Sequence, residues 1–152
     1  MPFRFTNEHA MSLVAPHLLP GEQVLHRSRG VEKPWYSRLF SRMGSLFWRY
    51  WLVVGTNQRV IFIRHKGIFG GYGMKEVESV QLTHVDELRL GWGIFNKNLR
   101  VRSAAARINR TVVIPRFWLK QNLPDGEGMV QTWQRTRGSL PPGAMPAQQL
   151  RA

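Results

Sequence analysis

Two short apolar segments separated by turn residues restrict the fold of this chain more than any other feature. Residues 50–54 (YWLVV) and 59–63 (RVIFI) are rich in β-branched and aromatic residues, which favour strands that are buried on both faces. Residues 55–58 (GTNQ) lie between them and have the composition of a turn. Together the three segments predict a hairpin of two buried strands.

Further segments of strand composition recur along the chain, separated by residues that are typical of turns. They cover residues 22–31, 76–82, 87–90, 98–102 and 111–114. Residues 7–18 predict a short helix with Thr6 or Asn7 as N-cap, and residues 124–134 predict a final helix that Gly138 ends. Short strands at such intervals are typical of a small β-sandwich or barrel.

The length of the chain suits one domain. Its 152 residues, of which 43% are hydrophobic, are enough for one core but few for two. Residues 138–152 contain three prolines and few large apolar side chains. We therefore expect a single domain over residues 1–137 and a disordered tail over residues 138–152.

The chain is strongly basic. It has 22 Lys and Arg residues against 9 Asp and Glu residues, which gives a formal net charge of +13. Such a charge favours anionic partners, and both nucleic acid and an anionic membrane surface fit it. A basic composition that serves solubility alone is the alternative.

No arrangement of residues suggests catalysis or metal binding. The chain has no cysteine, which excludes disulfide bonds, thiolate catalysis and cysteine-ligated zinc. On a strand His84 and Asp86 would share a face, but the other histidines have no metal-ligand spacing relative to them. No serine is marked by a base and an orienting acid, and residues 67–73 lack the Gly-Lys-Ser/Thr ending of a phosphate loop. We expect a protein without catalytic activity, metal or cofactor.

The sequence predicts a cytoplasmic protein. Its N-terminus lacks the basic and apolar regions of a signal peptide. The longest apolar stretch, residues 46–55, is interrupted by Arg49 and is far shorter than the roughly 20 residues that span a bilayer. Any membrane association is therefore expected to be peripheral, on the inner face of the membrane.

Three segments of the chain resemble the bacterial pleckstrin-homology-like (PH-like) domain families. Residues 18–25 (LLPGEQVL) are similar to the opening L-P-G-E-x-(V/I)-L pattern that leads into the first strand of these domains. Residues 52–62 (LVVGTNQRVIF) resemble their second hairpin, a hydrophobic run followed by T-(N/D)-x-R-(L/V). Residues 80–88 (VQLTHVDEL) resemble their I-x-x-I-x-x-V pattern.

The resemblance implies a seven-stranded, strongly bent antiparallel sheet or partly open barrel, closed at one end by the final helix with Trp133 buried beneath it. It also implies a protein that binds rather than catalyses. Phosphoinositide-binding members of the wider superfamily carry a basic residue late in strand one and a Lys/Arg-x-Arg pair on strand two. Here Lys33 could serve as the first, whereas strand two has Arg49 followed by Tyr50 and Trp51.

The long connection between the first two strands, residues 33–49, is the candidate binding site. If residues 34–47 form a helix, their large apolar side chains share one face, with arginines close beside it and serines opposite. A basic amphipathic helix rich in Trp and Phe suits the interface of an anionic membrane. The same face could instead pack on the barrel or on a second subunit. The candidate site residues are Lys33, Trp35, Arg38, Leu39, Phe40, Arg42, Met43, Phe47 and Arg49.

Two functions are compatible with these observations. The first is a binding or targeting module, acting as a homo-oligomer, that associates through residues 33–49 with an anionic membrane surface or a protein partner. The second is a nucleic-acid-binding β-barrel, for which residues 100–110, with four arginines, are the best evidence. Arg100 and Arg102 alternate with Leu99 and Val101, however, as the exposed positions of an ordinary strand do.

Overall fold

The computed structural model describes residues 6–34, 48–65, 74–118 and 121–138. These ranges contain helix α1 (Asn7–Val14), continued by a 3-10 turn (Ala15–His17), and helix α2 (Asn122–Gly138). The strands are β1 (Val24–Glu32), β2 (Arg49–Thr56), β3 (Arg59–His65), β4 (Met74–Gln81), β5 (Glu87–Leu90), β6 (Asn96–Ser103) and β7 (Ile108–Pro115). A second 3-10 turn, Leu82–His84, follows β4. The helices and strands predicted within these ranges are present, with ends that differ by a few residues. The predicted tail, residues 138–152, lies outside the described residues except for Gly138, which is the last residue of α2.

All seven described strands form one antiparallel sheet in the order β4-β3-β2-β1-β7-β6-β5. The sheet is so strongly bent that Arg110 on β7 contacts Glu78 on β4, with 2.6 Å between Nη2 and Oε1. In a flat sheet these two strands, four places apart, would be separated by about 19 Å. In the described part of the chain β4 and β5 do not pair with each other, so the sheet does not close into a barrel. The predicted mainly β fold with a bent antiparallel sheet is confirmed.

The larger part of the core lies on the concave face of this sheet. Trp51 on β2 and Phe62 on β3 meet edge to face, with ring centroids 6.2 Å apart. Helix α2 closes one end of this core with Met129 and Trp133. The Trp133 side chain is buried, and its Nε1 donates a hydrogen bond to Val85 O at 3.3 Å. The predicted burial of Trp133 is confirmed.

Helix α1 covers the convex face of the sheet. Thr6 caps this helix, because its Oγ1 accepts a hydrogen bond from His9 N at 3.2 Å. Ala10 and Val14 of α1 are fully buried with four apolar residues of β2 and β3, Leu52, Val54, Ile61 and Ile63. Both strands are therefore buried on two faces, as their unbroken apolar sequences predict.

A single asparagine joins β1 to the start of α2 where β1 and β7 separate. The two strands are in register only at Val31 and Val113. Beyond this pair, Asn122 Oδ1 accepts a hydrogen bond from Arg29 N at 2.6 Å, and Asn122 Nδ2 donates to Arg29 O at 2.9 Å and to Pro115 O. The side-chain amide thus satisfies the backbone groups that a neighbouring strand would otherwise satisfy.

Two of the sequence motifs meet in one buried polar cluster. In the turn formed by residues 19–22, Gly21 has a φ of +76° and Glu22 N donates a hydrogen bond to Leu19 O at 3.0 Å. This turn places the Glu22 carboxylate against Arg59, 2.8 Å from Nε and 3.0 Å from Nη2. Thr56 Oγ1 donates to the same carboxylate at 2.7 Å. The last residues of the L-P-G-E and T-N-x-R motifs, Glu22 and Arg59, therefore form one ion pair.

These contacts determine the ionisation of Glu22. Burial by itself would raise the pKa of the carboxyl group, but hydrogen bonds from Arg59, Leu19 N and Thr56, together with the charge of Arg59, lower the pKa from 4.5 to about 2. A carboxyl group whose pKa is lowered on folding stabilises the folded state above its unfolded pKa. That stabilisation is lost as the pH falls towards the folded pKa.

We predict that Glu22→Gln lowers the free energy of unfolding by about 3–5 kcal/mol at neutral pH, because Arg59 keeps a largely buried charge without its partner. The difference between wild type and variant should shrink as the pH falls from 4.5 to about 2, since protonated Glu22 loses the same interaction. Urea unfolding at a series of pH values measures both effects. Glu8→Gln, at an exposed position of α1, is the control. A difference that stays constant over this interval would contradict the prediction.

Candidate functional site

The structure describes the two ends of the predicted binding segment, residues 33–49. Lys33 follows β1 and Arg49 begins β2, and both side chains are exposed. Arg49 is paired with Glu32 in the β1–β2 register. The Lys33 Nζ lies 4.5 Å from the ring centroid of Trp48, a cation–π contact. The two ends of the segment therefore lie side by side, where the end of β1 pairs with the start of β2.

The remaining candidate residues lie outside the described residues. They are Trp35, Arg38, Leu39, Phe40, Arg42, Met43 and Phe47. The helix expected over residues 34–47 lies outside them too, except for Pro34. The amphipathic arrangement of this segment stays a prediction.

Four side chains hold the strands together beside the segment. Arg110 donates through Nε and Nη2 to Glu78, at 2.8 and 2.6 Å, and through Nη1 to Glu32 at 3.1 Å. The guanidinium lies 4.3 Å from the ring centroid of Trp51, whose Nε1 donates to Glu32 at 3.1 Å. The hydrogen bonds from Arg110 lower the pKa of Glu78 against the opposing effect of burial, and the same contact raises the pKa of Arg110. This Arg110 cluster connects β1, β2, β4 and β7.

A cationic and aromatic cluster lies on the other face of the same strand ends. The buried guanidinium of Arg29 is 5.1 Å from a ring centroid of Trp118 and 5.9 Å from that of Tyr50. These two rings stack with centroids 5.9 Å apart and planes at 24°. Tyr50 also lies 5.9 Å from the ring of His65, the last residue of β3. The strand ends from which residues 33–49 extend are thus held by side-chain contacts on both faces of the sheet.

Most acidic residues of the protein are neutralised by contacts within the fold. All nine lie in the described ranges. Six of them form ion pairs with Lys or Arg, namely Glu22, Glu32, Glu76, Glu78, Glu87 and Glu127. Residues 33–49 contain no acidic residue, and neither do residues 66–73 between β3 and β4. These two connections attach to neighbouring strands, because Tyr50 is paired with His65, and both carry only positive charges.

A second exposed surface, at the β5–β6 turn, was missed by sequence reasoning. Trp92 is 91% exposed, Ile94 61% and Phe95 64%, and Phe117 after β7 is 79% exposed. A hydrogen bond from Arg116 N to Phe95 O at 2.8 Å holds the two connections together. We call Trp92, Ile94, Phe95 and Phe117 the apolar tip. The available signal was the presence of three large apolar side chains in a glycine-containing turn, where polar residues are usual.

The described residues show no constellation for metal binding. No group of three or more His, Asp and Glu side chains among them could hold a metal ion. The expectation that His84 and Asp86 share a strand face is wrong, because His84 ends a 3-10 turn and Asp86 lies between that turn and β5. Asp86 instead accepts a hydrogen bond from Ala104 N at 2.7 Å. Within the described ranges, no helix has the length and hydropathy needed to cross a membrane.

We predict that Arg110→Met lowers the free energy of unfolding by about 3 kcal/mol, because Glu32 and Glu78 lose their common partner. Arg110→Lys should recover only part of this loss, since an ammonium group cannot make the forked contact. Urea unfolding measures both. Arg102→Met, at an exposed position of β6, is the matched control and should change stability by less than about 0.5 kcal/mol. Equal effects of the two Met variants would show that the Arg110 cluster does not hold these strands together.

Comparison with solved structures finds chains of similar fold. The hSac2 domain from the human phosphoinositide phosphatase Sac2 is 9% identical, with a TM-score of 0.50, and the match covers 89% of this chain and 85% of that one. A DUF1696 family protein with a pleckstrin-homology domain, from Shewanella loihica, is 15% identical, with a TM-score of 0.46. The match covers 86% of this chain and 92% of the Shewanella protein. No protein-family model and no curated protein matches the sequence. At these identities the likeness concerns the fold alone. The bent seven-stranded sheet and the helix that buries Trp133 agree with the architecture that the resemblance to PH-like domains implied.

Proposed function

We propose that this protein is a non-catalytic binding module that docks on anionic membrane surfaces through residues 33–49. In this proposal it works in the bacterial cytoplasm, peripherally on the inner face of the membrane, and as a homo-oligomer. The PH-like fold supports the general role of a binding module. The choice of a membrane rests on the chemistry and the position of residues 33–49.

The observation that carries the proposal is the position of the two ends of this segment. Lys33 and Arg49 are exposed at the ends of two paired strands. The Arg110 cluster on one face, and Arg29 with Tyr50 and Trp118 on the other, hold these strand ends in place. A connection that begins and ends on such a base can present its side chains to a surface without disturbing the sheet.

The composition of the segment favours an anionic membrane as that surface. It contains Lys33, Arg38, Arg42 and Arg49, five aromatic residues and no acidic residue. Each basic side chain near an anionic surface contributes about 1 kcal/mol to binding. Trp and Phe side chains add apolar contact at the boundary between headgroups and acyl chains. The neighbouring connection, residues 66–73, adds Lys66 and two aromatic residues.

Nucleic-acid binding through residues 100–110 receives less support from the geometry. Arg110 is engaged in its cluster with Glu78 and Glu32. Arg100 lies 3.7 Å from Glu87. Two of the four arginines in this segment therefore already contact carboxylates within the fold. Leu99 and Val101 are fully buried, so β6 has the alternating pattern of an ordinary strand.

We predict that Arg38→Glu with Arg42→Glu abolishes binding to vesicles of phosphatidylglycerol and phosphatidylcholine. Folding should stay intact, because charges that face the solvent, as the proposal requires of both residues, contribute little to stability. Trp35→Ser with Phe40→Ser should weaken binding even at high salt, since apolar insertion is not screened as phosphate contacts are. Co-sedimentation with vesicles measures binding, and thermal unfolding checks the fold.

The matched control is Arg102→Glu with Arg135→Glu, which changes the net charge equally at exposed positions of β6 and α2. This control should bind anionic vesicles like the wild type. Equal losses in the two charge-reversal variants would mean that net charge alone drives binding and that residues 33–49 are not the site. Unfolding or dissociation of the serine variant would place its aromatic face in the core or in a subunit interface. Binding to single-stranded DNA that only the control loses would favour the nucleic-acid function.

A further inference from the structure

The exposure of the apolar tip is a consequence of the local backbone. Phe95 O accepts a hydrogen bond from Arg116 N at 2.8 Å, which fastens the end of the β5–β6 turn to the connection after β7. Gly93 passes so close to Asn96 O that a Cβ at this position would collide with that oxygen. The turn is therefore tightly closed, and it keeps Trp92 in solvent beside its neighbours.

Positive charge surrounds the tip. Residues 90–96 carry no charged side chain, while Arg89 just before them and Arg116 are both exposed. Arg89 and Arg100 share the one carboxylate of Glu87, at 2.8 and 3.7 Å, and Glu127 pairs with Lys97, so basic side chains outnumber acidic ones beside the tip. An apolar protrusion among basic residues is the arrangement that suits the interface of an anionic bilayer.

The size of the tip argues against a folded protein as its partner. Its four side chains expose on the order of 600 Å² in total, judged from typical areas of large apolar residues. A stable protein interface buries roughly 800 Å² on each partner. A fluid bilayer, in contrast, accepts a narrow apolar protrusion without a complementary shape.

We propose that the apolar tip is a second membrane contact, which inserts Trp92, Ile94, Phe95 and Phe117 into the interfacial layer of an anionic bilayer. Arg89 and Arg116 then lie near the lipid phosphates. The choice of a membrane as ligand rests on the proposed function, but the surface is different from residues 33–49. The two contacts together fix the orientation of the protein on the membrane.

The test uses the full chain, which has no cysteine, so that Trp92→Cys accepts a single environment-sensitive fluorophore. Vesicles contain phosphatidylglycerol and phosphatidylcholine in equal amounts. We expect the emission to shift to shorter wavelength when vesicles are added, and nitroxide groups on the acyl chains should quench it. Gln134→Cys, at an exposed position of α2, carries the same label as a control and should show neither change. The proposal would be overturned if the protein binds vesicles while the label at position 92 keeps the emission that it has in water.

The unlabelled variant Trp92→Ser with Phe95→Ser provides a second measurement. Each substitution should weaken partitioning into these vesicles by about tenfold, also at high salt, because large apolar side chains no longer leave water. Leu25→Ser, which removes an apolar side chain that is 44% exposed on β1, should bind like the wild type. The proposal would be overturned if the double variant binds vesicles like the wild type. If the double variant in addition forms a smaller oligomer, the tip is a subunit interface.

The charge-reversal variant Arg38→Glu with Arg42→Glu separates this inference from the proposed function. If vesicle binding survives that variant but is lost with Trp92→Ser and Phe95→Ser, the tip is the membrane contact and residues 33–49 are not. If the reverse holds, residues 33–49 are the contact and the tip is not. Loss in both variants, with the fluorescence shift at position 92, supports two contacts.

Discussion

The single pair of residues at which β1 and β7 are in register, Val31 and Val113, is the constraint on which the rest of the structure depends. Because β1 and β7 pair over so short a length, strands β4-β3-β2-β1 and strands β7-β6-β5 are turned relative to each other. Where β7 separates from β1, Asn122 forms the hydrogen bonds that the backbone of β1 would otherwise lack. The turn brings β7 against β4, where Arg110 joins them. A binding surface made of connections would need a rigid base of this kind, since loops in general are more mobile than the strands that they connect.

The sequence predicted those features that depend on neighbouring residues. The unbroken apolar runs of β2 and β3 predicted burial on both faces, and the family pattern predicted the buried Trp133. Contacts between distant residues were not predictable in the same way. Glu22 and Arg59 are 37 residues apart, and Asn122 and Arg29 are 93 apart. Nothing local distinguishes a glutamate that will meet an arginine across the fold from one that remains in solvent.

The two candidate surfaces show how far pattern analysis reaches into a binding site. Helical periodicity over residues 34–47 made residues 33–49 a candidate site, and the structure adds the exposed positions of Lys33 and Arg49 at the adjacent ends of β1 and β2. Periodicity could not identify Trp92, because a turn has neither the face of a helix nor that of a strand. The positive charge of the protein surface also depends on contacts between distant residues. Carboxylates such as Glu78 are engaged in ion pairs, so exposed arginines dominate the field that an approaching ligand meets within a Debye length of about 8–10 Å.

The guanidinium of Arg59 has one more partner, because its Nη2 donates to His17 O at 2.5 Å. Arg59 therefore ties the 3-10 turn after α1 to the β2–β3 hairpin, in addition to holding Glu22. Helix α1 has 8 residues, too few for a helix that is stable by itself, and it depends on this tie and on its buried Ala10 and Val14. We therefore expect loss of this tie to release α1 before the concave core is disturbed. In that partly open state the apolar outer face of β2 and β3 is accessible, and this is the surface from which misassembly would start.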